Sequence, residues 1–259
     1  MKLGVSTSCY YPLETELALE QVCKSGFQAT EVFFNAESEL KPAFTDILKD
    51  IKDNYNTEIV SVHPTFSLAE SFMIFSAYER RLYEALDKYA RYSEIAAELG
   101  AKYIIMHGGK PNGILSDEEY CERYMMVKNA ALKNGVTVLQ ENVTAHRAGS
   151  VEFMRSMKNI LGNEAEFCID IKQAIRSGYE PISLVKEFIK NTKHYHLSDH
   201  STASDCLLPL KNGCFDFQGF FDLLNNHSYN GACIVEVYSN AYSDYAEIID
   251  SYKKLVKIL

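Results

Sequence analysis

The sequence lacks the patterns that mark membrane proteins, disulfide-linked secreted proteins and thiolate metal sites. No stretch approaches the roughly 18 consecutive apolar residues of a membrane-spanning helix. The first residues, MKLGVSTSCYY, do not contain the apolar run of a secretory signal peptide. The 7 cysteines are scattered, their number is odd, and no two of them form a C-x-x-C pair. We therefore expect a soluble, cytoplasmic protein with reduced thiols and no membrane partner.

Positive charge is also scarce. The chain has 26 Lys and Arg against 35 Asp and Glu, which gives a formal net charge of -9. Proteins that bind nucleic acid usually present a basic face to the phosphates, so we expect no nucleic-acid partner. The length of 259 residues suits one large domain or two small ones, and a hydrophobic share of 47% is ordinary for a soluble protein with a core.

The chain does contain a regular alternation of short β-rich segments and longer helical patterns. Ser76-x-x-Glu79 and Ser116-x-x-Glu119 are typical of capping boxes at helix starts. The alternation implies parallel strands with right-handed crossovers, and eight such units close a barrel. The first strand is not followed by the glycine-rich phosphate loop that an open doubly wound sheet would predict. We predict an α/β fold, a (β/α)8 TIM barrel forming one domain over residues 1–259. Its predicted strands are Lys2–Thr7, Ala29–Asn35, Glu58–Thr65, Ala101–Gly108, Val136–Val143, Glu166–Ile171, Lys193–Ser198 and Ala232–Tyr238.

Six consecutive predicted strands deliver an ionisable side chain to the C-terminal face, where a barrel builds its active site. In chain order these are His63, His107, Glu141, Asp170, His196 and Glu236. Side chains alternate in direction along a strand, so each of them can point into the barrel. We expect Leu139 to lie beneath Glu141, and Ile59 and Ser61 to lie beneath His63.

The carboxylates of this set predict a metal site. Burying them without compensation would be costly, and a bound cation is the simplest compensation. Glu141, Asp170, His196 and Glu236 would give a mixed oxygen and nitrogen shell, which suits one divalent metal: Mn²⁺, Mg²⁺, Co²⁺ or Zn²⁺. His194 shares a face with His196 one layer lower, and we interpret it as a hydrogen-bonded structural residue.

The order and spacing of these motifs resemble the xylose isomerase-like superfamily of barrels. That superfamily contains sugar isomerases, ketose 3-epimerases, inosose dehydratases and the endonuclease IV group of DNA repair enzymes. The resemblance covers essentially the whole chain. Its most specific parts are GlnGluAsn at 140–142, SerGlyTyr at 177–179 after Asp170, HisLeuSerAsp at 196–199, LeuProLeuLysAsnGly at 208–213, AspPhe at 216–217 and ValGlu at 235–236.

The resemblance implies a function in carbohydrate metabolism. The shared metal position of the superfamily maps onto Glu141, Asp170, His196 and Glu236. In the sugar isomerases and epimerases the two glutamates would also be catalytic, because they remove and return a proton next to a carbonyl through an enediolate. The resemblance therefore implies a metal-dependent isomerase or epimerase whose partner is a small sugar, sugar phosphate or polyol.

Two departures from the superfamily pattern qualify this expectation. Gln173 stands where a D-x-x-H motif would have its histidine, and Leu207 stands where a D-x-H motif beginning at Asp205 would have its own. Those histidines help to hold a third metal in the endonuclease group, so a phosphodiesterase of that type is disfavoured. His63 and His107 resemble second-metal ligands of the same group. Together with Gln173 and Asp205, they are predicted substrate-binding or second-metal residues.

Three other functions stay open: an inosose-type dehydratase, an endonuclease IV-like phosphodiesterase and a non-catalytic sugar-binding barrel. By analogy with the superfamily, a homo-oligomer also stays open. Arg147, Lys110 and Lys172 could hold an anionic group of the substrate, but a solvated surface position is the usual place for such side chains.

Overall fold

A computed structural model describes the backbone of residues 1–259 and every side chain other than those of Phe66 and Leu68. Over these residues eight parallel strands pair in chain order and close into a barrel, as predicted. The strands are β1 Lys2–Ser6, β2 Ala29–Phe33, β3 Glu58–His63, β4 Tyr103–Met106, β5 Thr137–Glu141, β6 Phe167–Asp170, β7 Thr192–Leu197 and β8 Ala232–Val235.

Helices surround the barrel, and the main apolar core lies between them and the strands. Val138 of β5 and Ile169 of β6, for example, belong to the same buried layer as Tyr124 and Phe188 of the helices. In the part of the chain that the structure describes, none of the helices is long and apolar enough to cross a membrane. The helices are α1 Thr15–Lys24, α2 Pro42–Tyr55, α3 Glu70–Met73, α4 Glu79–Leu99, α5 Asp117–Leu132, α6 Val151–Leu161, α7 Ile171–Arg176, α8 Pro181–Phe188, α9 Phe217–Asn226 and α10 Tyr245–Ile258.

All eight predicted strands extend past the observed ones at their C-terminal ends. The chain leaves the ladder there and turns into short 3-10 segments or loops, such as the turn that begins at Thr7. One predicted capping box is present, because Ser116 and Glu119 cap α5 reciprocally. The other prediction is wrong. Helix α4 begins at Glu79 after Tyr78, and the Ser76 hydroxyl instead accepts a hydrogen bond from the Tyr78 amide.

Strand β3 contains one extra residue that changes which side chains enter the barrel. Thr30 of β2 pairs with Ile59 and Glu31 pairs with Ser61, so Val60 is left without a partner. Val60 packs with apolar residues inside the barrel, whereas Ile59 joins the layer beneath the helices. The expectation that Ile59 lies beneath His63 is therefore wrong. It assumed an unbroken alternation that the bulge interrupts.

The barrel interior beneath the C-terminal face contains small apolar clusters beside the buried polar residues His194 and Glu31. Leu139 and Cys168 pack together there with Ile105, and Ile234 packs with Val60. The predicted facing of Leu139 is correct. Glu141, Asp170 and Glu236 follow Leu139, Cys168 and Ile234 by two residues, and side chains two residues apart on a regular strand share a face, so all three stand above this layer.

Candidate metal centre at the C-terminal face

Four ionisable side chains predicted as metal ligands converge at the top of β5 to β8. Glu141 and Asp170 end their strands, His196 is the second-last residue of β7, and Glu236 follows β8. Their ligand atoms all lie within 4.8 Å of one another. Nδ1 of His196 is 3.1 Å from Glu141 Oε1, 3.4 Å from Glu236 Oε2 and 3.7 Å from Asp170 Oδ2. The imidazole thus faces all three carboxylates through one ring nitrogen.

The other nitrogen of the same ring faces a carboxylate that the sequence reasoning missed. Nε2 of His196 is 3.2 Å from Oε1 of Glu31, which is fully buried in β2. Glu31 Oε2 also lies 3.2 Å from Nε2 of His194 and accepts a hydrogen bond of 2.8 Å from the Ser61 hydroxyl. A carboxylate behind a metal-binding histidine fixes the orientation and tautomer of the ring. The signal was available, because Glu31 shares a strand face with Ala29 in an otherwise apolar segment.

Lys172 is the second unexpected member of the cluster. It is 2% exposed, so the expectation of a solvated surface lysine is wrong. Its ammonium contacts Oδ2 of Asp170 and lies 2.5 Å from Oε2 of Glu236. Burial lowers the pKa of Lys172, but the two adjoining carboxylates raise it well above its usual value, so the side chain is positively charged. The reason for its position is local: α7 starts directly after Asp170, and side chains in a first helical turn point back toward the preceding strand.

A second group of potential ligands adjoins the first. Nε2 of His63 and Nε2 of His107 lie 3.0 Å apart, and both approach Oε2 of Glu141, at 3.7 Å and 3.1 Å. These three residues could also hold a metal ion. The ring of Phe33 stacks on His63 with 4.4 Å between centroids, which restrains the histidine from the side of the barrel mouth.

The two remaining predicted site residues have other partners. Oε1 of Gln173 accepts hydrogen bonds from the amide and the hydroxyl of Thr144, at 3.1 Å and 3.0 Å, so it connects the loops after β5 and β6. Asp205 lies at the rim, where Arg176 binds its two oxygens at 2.6 Å and 3.1 Å. The structure therefore brings neither of them into the groups that could hold a metal.

Arg147 and Lys110, the other two basic residues considered above, also have partners. Arg147 is partly buried and lies 2.6 Å from a carboxylate oxygen of Asp117. Lys110 is exposed and stands 4.5 Å above the centre of the Phe72 ring. Neither contact directs the positive charge toward the four converging side chains.

A cavity of about 260 Å³ opens above Glu236. Tyr11, Phe33 and Tyr238 supply apolar ring surfaces, and Asn35 and Ser8 supply polar groups. This volume is below the range of about 300–1,000 Å³ that is typical of sites for drug-sized ligands. A larger cavity of about 510 Å³ lies among the loops after β4, β5 and β6, where Thr144, His146 and Tyr179 contribute to its wall.

The barrel from α1 onward matches a known family model. The model of the xylose isomerase-like TIM barrel aligns with residues 19–255. The chain belongs to this family. The resemblance inferred from the strand-end motifs is thereby confirmed.

This xylose isomerase-like barrel is similar to a curated dehydratase and to several solved structures. The inosose dehydratase of Clostridium beijerinckii is 24% identical, over 85% of this chain and 81% of that protein. A D-tagatose 3-epimerase-like protein of known structure superposes with a TM-score of 0.79 at 21% identity, covering 100% of this chain and 97% of its own. The IolI protein, solved with a bound zinc atom, gives 0.76 at 18% identity over 100% and 98%. At these identities the two structures establish the fold.

The donor set in this xylose isomerase-like barrel fits a divalent ion. Atoms about 2.1 Å from a tetrahedral ion lie about 3.4 Å from one another. The distances of 3.1, 3.4 and 3.7 Å from His196 Nδ1 to the carboxylates agree with that spacing. Burial raises the pKa of Glu141, but contacts with His107, His196 and His63 outweigh burial and hold that pKa well below its usual value. Glu236 behaves similarly: burial raises its pKa, but the charges of His196 and Lys172 outweigh burial and hold that pKa below its usual value.

Proposed function

We propose that this chain is a divalent-metal-dependent isomerase or epimerase that moves a proton next to the carbonyl of a small sugar, sugar phosphate or polyol. The observation that carries the proposal is the convergence of Glu141, Asp170, His196 and Glu236 within 4.8 Å of one another beneath the barrel mouth. The proposal treats residues 1–259 as one catalytic domain.

In this proposal Glu141 and Glu236 are the proton-transfer residues. Both carry low pKa values and are therefore ionised bases at neutral pH. They belong to strands three positions apart around the barrel, so they can approach a substrate from different sides. Asp170 and His196 complete the metal set, and Glu31 orients His196. When bound, the ion would polarise the substrate carbonyl and stabilise negative charge on its oxygen.

The shape of the mouth supports a substrate of monosaccharide size. The cavity of about 260 Å³ reaches Glu236 and presents the rings of Tyr11, Phe33 and Tyr238 with a few polar groups. Aromatic rings can pack against the C–H surface of a sugar, while the polar groups and Glu236 can bind its hydroxyls. The similarity to an epimerase-like structure supports the same substrate class.

A dehydratase is the second candidate, and the inosose dehydratase relative favours it. Such a reaction would begin with the same proton abstraction and then expel a hydroxyl group as water. The carboxylates described above would serve either outcome, so the products distinguish the two reactions.

Metal content is the first test. Elemental analysis of the purified, reconstituted protein should find about one divalent ion per chain. The double variant Glu141→Gln/Glu236→Gln should lose it. Glu58→Gln, at the opposite end of the barrel where Glu58 pairs with Lys2, should keep it. Absence of metal after reconstitution with Mn²⁺, Co²⁺ and Zn²⁺ would overturn the proposal.

The reaction class is tested by incubating the metal-loaded protein with ketoses and inososes in deuterated water. An isomerase or epimerase should introduce deuterium at the carbon beside the carbonyl without loss of water, and the double variant should not. A product that has lost water would identify the dehydratase. Failure to exchange any of these protons, with metal bound, would leave the chain as a non-catalytic binding barrel.

A further inference from the structure

A lysine of the chain, Lys172, already forms ion pairs with two carboxylates of the proposed metal site. The ammonium of Lys172 contacts Oδ2 of Asp170 and lies 2.5 Å from Oε2 of Glu236. The side chain is 3% exposed, so little water competes for these contacts. Lys172 is tethered there by the first turn of α7, whose first residue follows Asp170 directly.

The lysine and the histidine of the site face the same oxygen atoms. Oδ2 of Asp170 and Oε2 of Glu236 are the atoms that lie 3.7 Å and 3.4 Å from Nδ1 of His196. An ion coordinated by His196 and both carboxylates would need those oxygens at about 2.0–2.2 Å. It would stand beside the ammonium, and two cations sharing these ligands in a buried site repel each other strongly.

The proposed centre therefore has two unequal halves. On one side, Glu141 meets His196 and the two histidines of the neighbouring group without a lysine contact among the described residues. On the other side, Asp170 and Glu236 are already neutralised by Lys172. An incoming ion meets Glu141 and His196 with only histidine contacts between them, but it must take the other two ligands from an ion pair with the Lys172 ammonium.

We propose that Lys172 is a tethered competitor of the divalent metal, and that it sets the metal affinity of this site. This inference rests on the metal site of the proposed function. A metal ion that binds all four ligands displaces the ammonium from at least one oxygen. The ring of Tyr238, whose centroid is 5.6 Å from Nζ, offers the displaced charge a favourable face in the wall of the cavity.

The chain offers a matched control for this lysine. Lys128 is also buried, at 4% side-chain exposure, and also lies between two carboxylates, at 3.0 Å from Glu164 and 2.9 Å from Glu166. Its ammonium also donates a hydrogen bond to the main-chain carbonyl of Glu164. This residue lies beyond the end of α6, away from the strand ends that carry the four proposed ligands. Lys128→Met therefore removes another buried ammonium from between two carboxylates without touching the proposed site, although Glu164 is more exposed than the partners of Lys172.

The test is a calorimetric titration of the metal-free, full-length protein with Mn²⁺. Lys172→Met and Lys172→Gln should bind Mn²⁺ at least about tenfold more tightly than the unaltered chain, within the range usual for coupled sites. Lys128→Met should bind as the unaltered chain does. Circular dichroism melts with and without Mn²⁺ verify that each variant is folded, and Mn²⁺ should raise the melting temperature of Lys172→Met more than that of the unaltered protein.

Unchanged or weaker Mn²⁺ binding by the two Lys172 variants, with one ion still bound by the unaltered chain, would overturn this inference alone. Lys172 would then support the metal-bound carboxylates from outside. Tighter binding by Lys128→Met as well would also overturn it, because the effect would then follow from any lost ion pair. If none of the proteins binds Mn²⁺, both this inference and the metal part of the proposed function fail.

Discussion

Replacing Glu70 by glutamine should make the protein more stable at alkaline pH and should reduce the pH dependence of its stability. Glu70 lies in α3 with its side chain fully buried. Its Oε2 accepts a 2.6 Å hydrogen bond from the amide of Gly108, and its Oε1 lies 2.5 Å from the hydroxyl of Tyr89. Burial raises the pKa of Glu70 from 4.5 to about 7, although the charge of His107 and these hydrogen bonds act against the rise.

The sign follows from which state binds the proton more tightly. The folded state does, so the contribution of Glu70 to stability is fully present below pH 4.5 and is lost as the pH rises through about 7. A shift of about 2.5 pKa units corresponds to about 3 kcal/mol of unfolding free energy. Glutamine resembles the protonated acid: its oxygen can accept from Gly108 while its amide nitrogen donates to Tyr89.

The assay is urea unfolding of the parent and of Glu70→Gln at about pH 5 and about pH 8. Circular dichroism serves as the signal, because the chain has no tryptophan. The variant should gain about 1–3 kcal/mol relative to the parent on going from the lower to the higher pH. Comparing the two proteins at each pH cancels the titration of all other groups. An equal difference at both pH values, or a variant less stable at pH 8, would refute the reasoning.

Two further substitutions probe the support of the centre. Glu31→Gln removes the charge behind His196 and should weaken Mn²⁺ binding by about 10–100-fold in the same titration; unchanged affinity would mean that Glu31 has no part in orienting the ring. Gly108→Ala should lose at least about 2 kcal/mol in urea unfolding, because φ is +88° and the added Cβ would lie 2.0 Å from the hydroxyl of Tyr120. Gly26→Ala, with φ of +76° and open space around the added carbon, should lose only about 1 kcal/mol, and equal losses would exclude the clash as the cause.

The barrel was predictable because its information is local and repeated. Each strand is a short β-rich segment and each crossover is a helical pattern, so the count of eight survives errors at individual ends. The ends themselves depend on where neighbouring strands stop pairing. The Ser76 capping box is absent for a related reason: the chain before α4 is extended at Tyr78, and the helix starts two residues later than an N-cap at Ser76 requires.

The centre was predictable where chemistry coincides with a strand end, as at Glu141 and Asp170. Glu31 was missed because it lies inside its strand, and only the barrel brings β2 across to His196. Lys172 was misjudged because lysines are usually exposed, whereas its position in the first turn of α7 aims it back at the strand end. The contact of Glu31 joins β2 to β7, which are distant in the sequence, whereas the placement of Lys172 follows from the start of α7 directly after Asp170.

The unpaired Val60 allows the two ends of β3 to face their side chains according to different patterns. In a regular strand, side chains alternate strictly, so the facing of the residues at one end fixes the facing of those at the other end. Here Ile59 follows one phase while Ser61 and His63 follow the other. The lower half of β3 can therefore be optimised for packing beneath the helices while the upper half keeps its polar groups on the centre. The bulge thus lets a strand of six residues present packing side chains at its lower end and polar side chains toward the centre at its upper end.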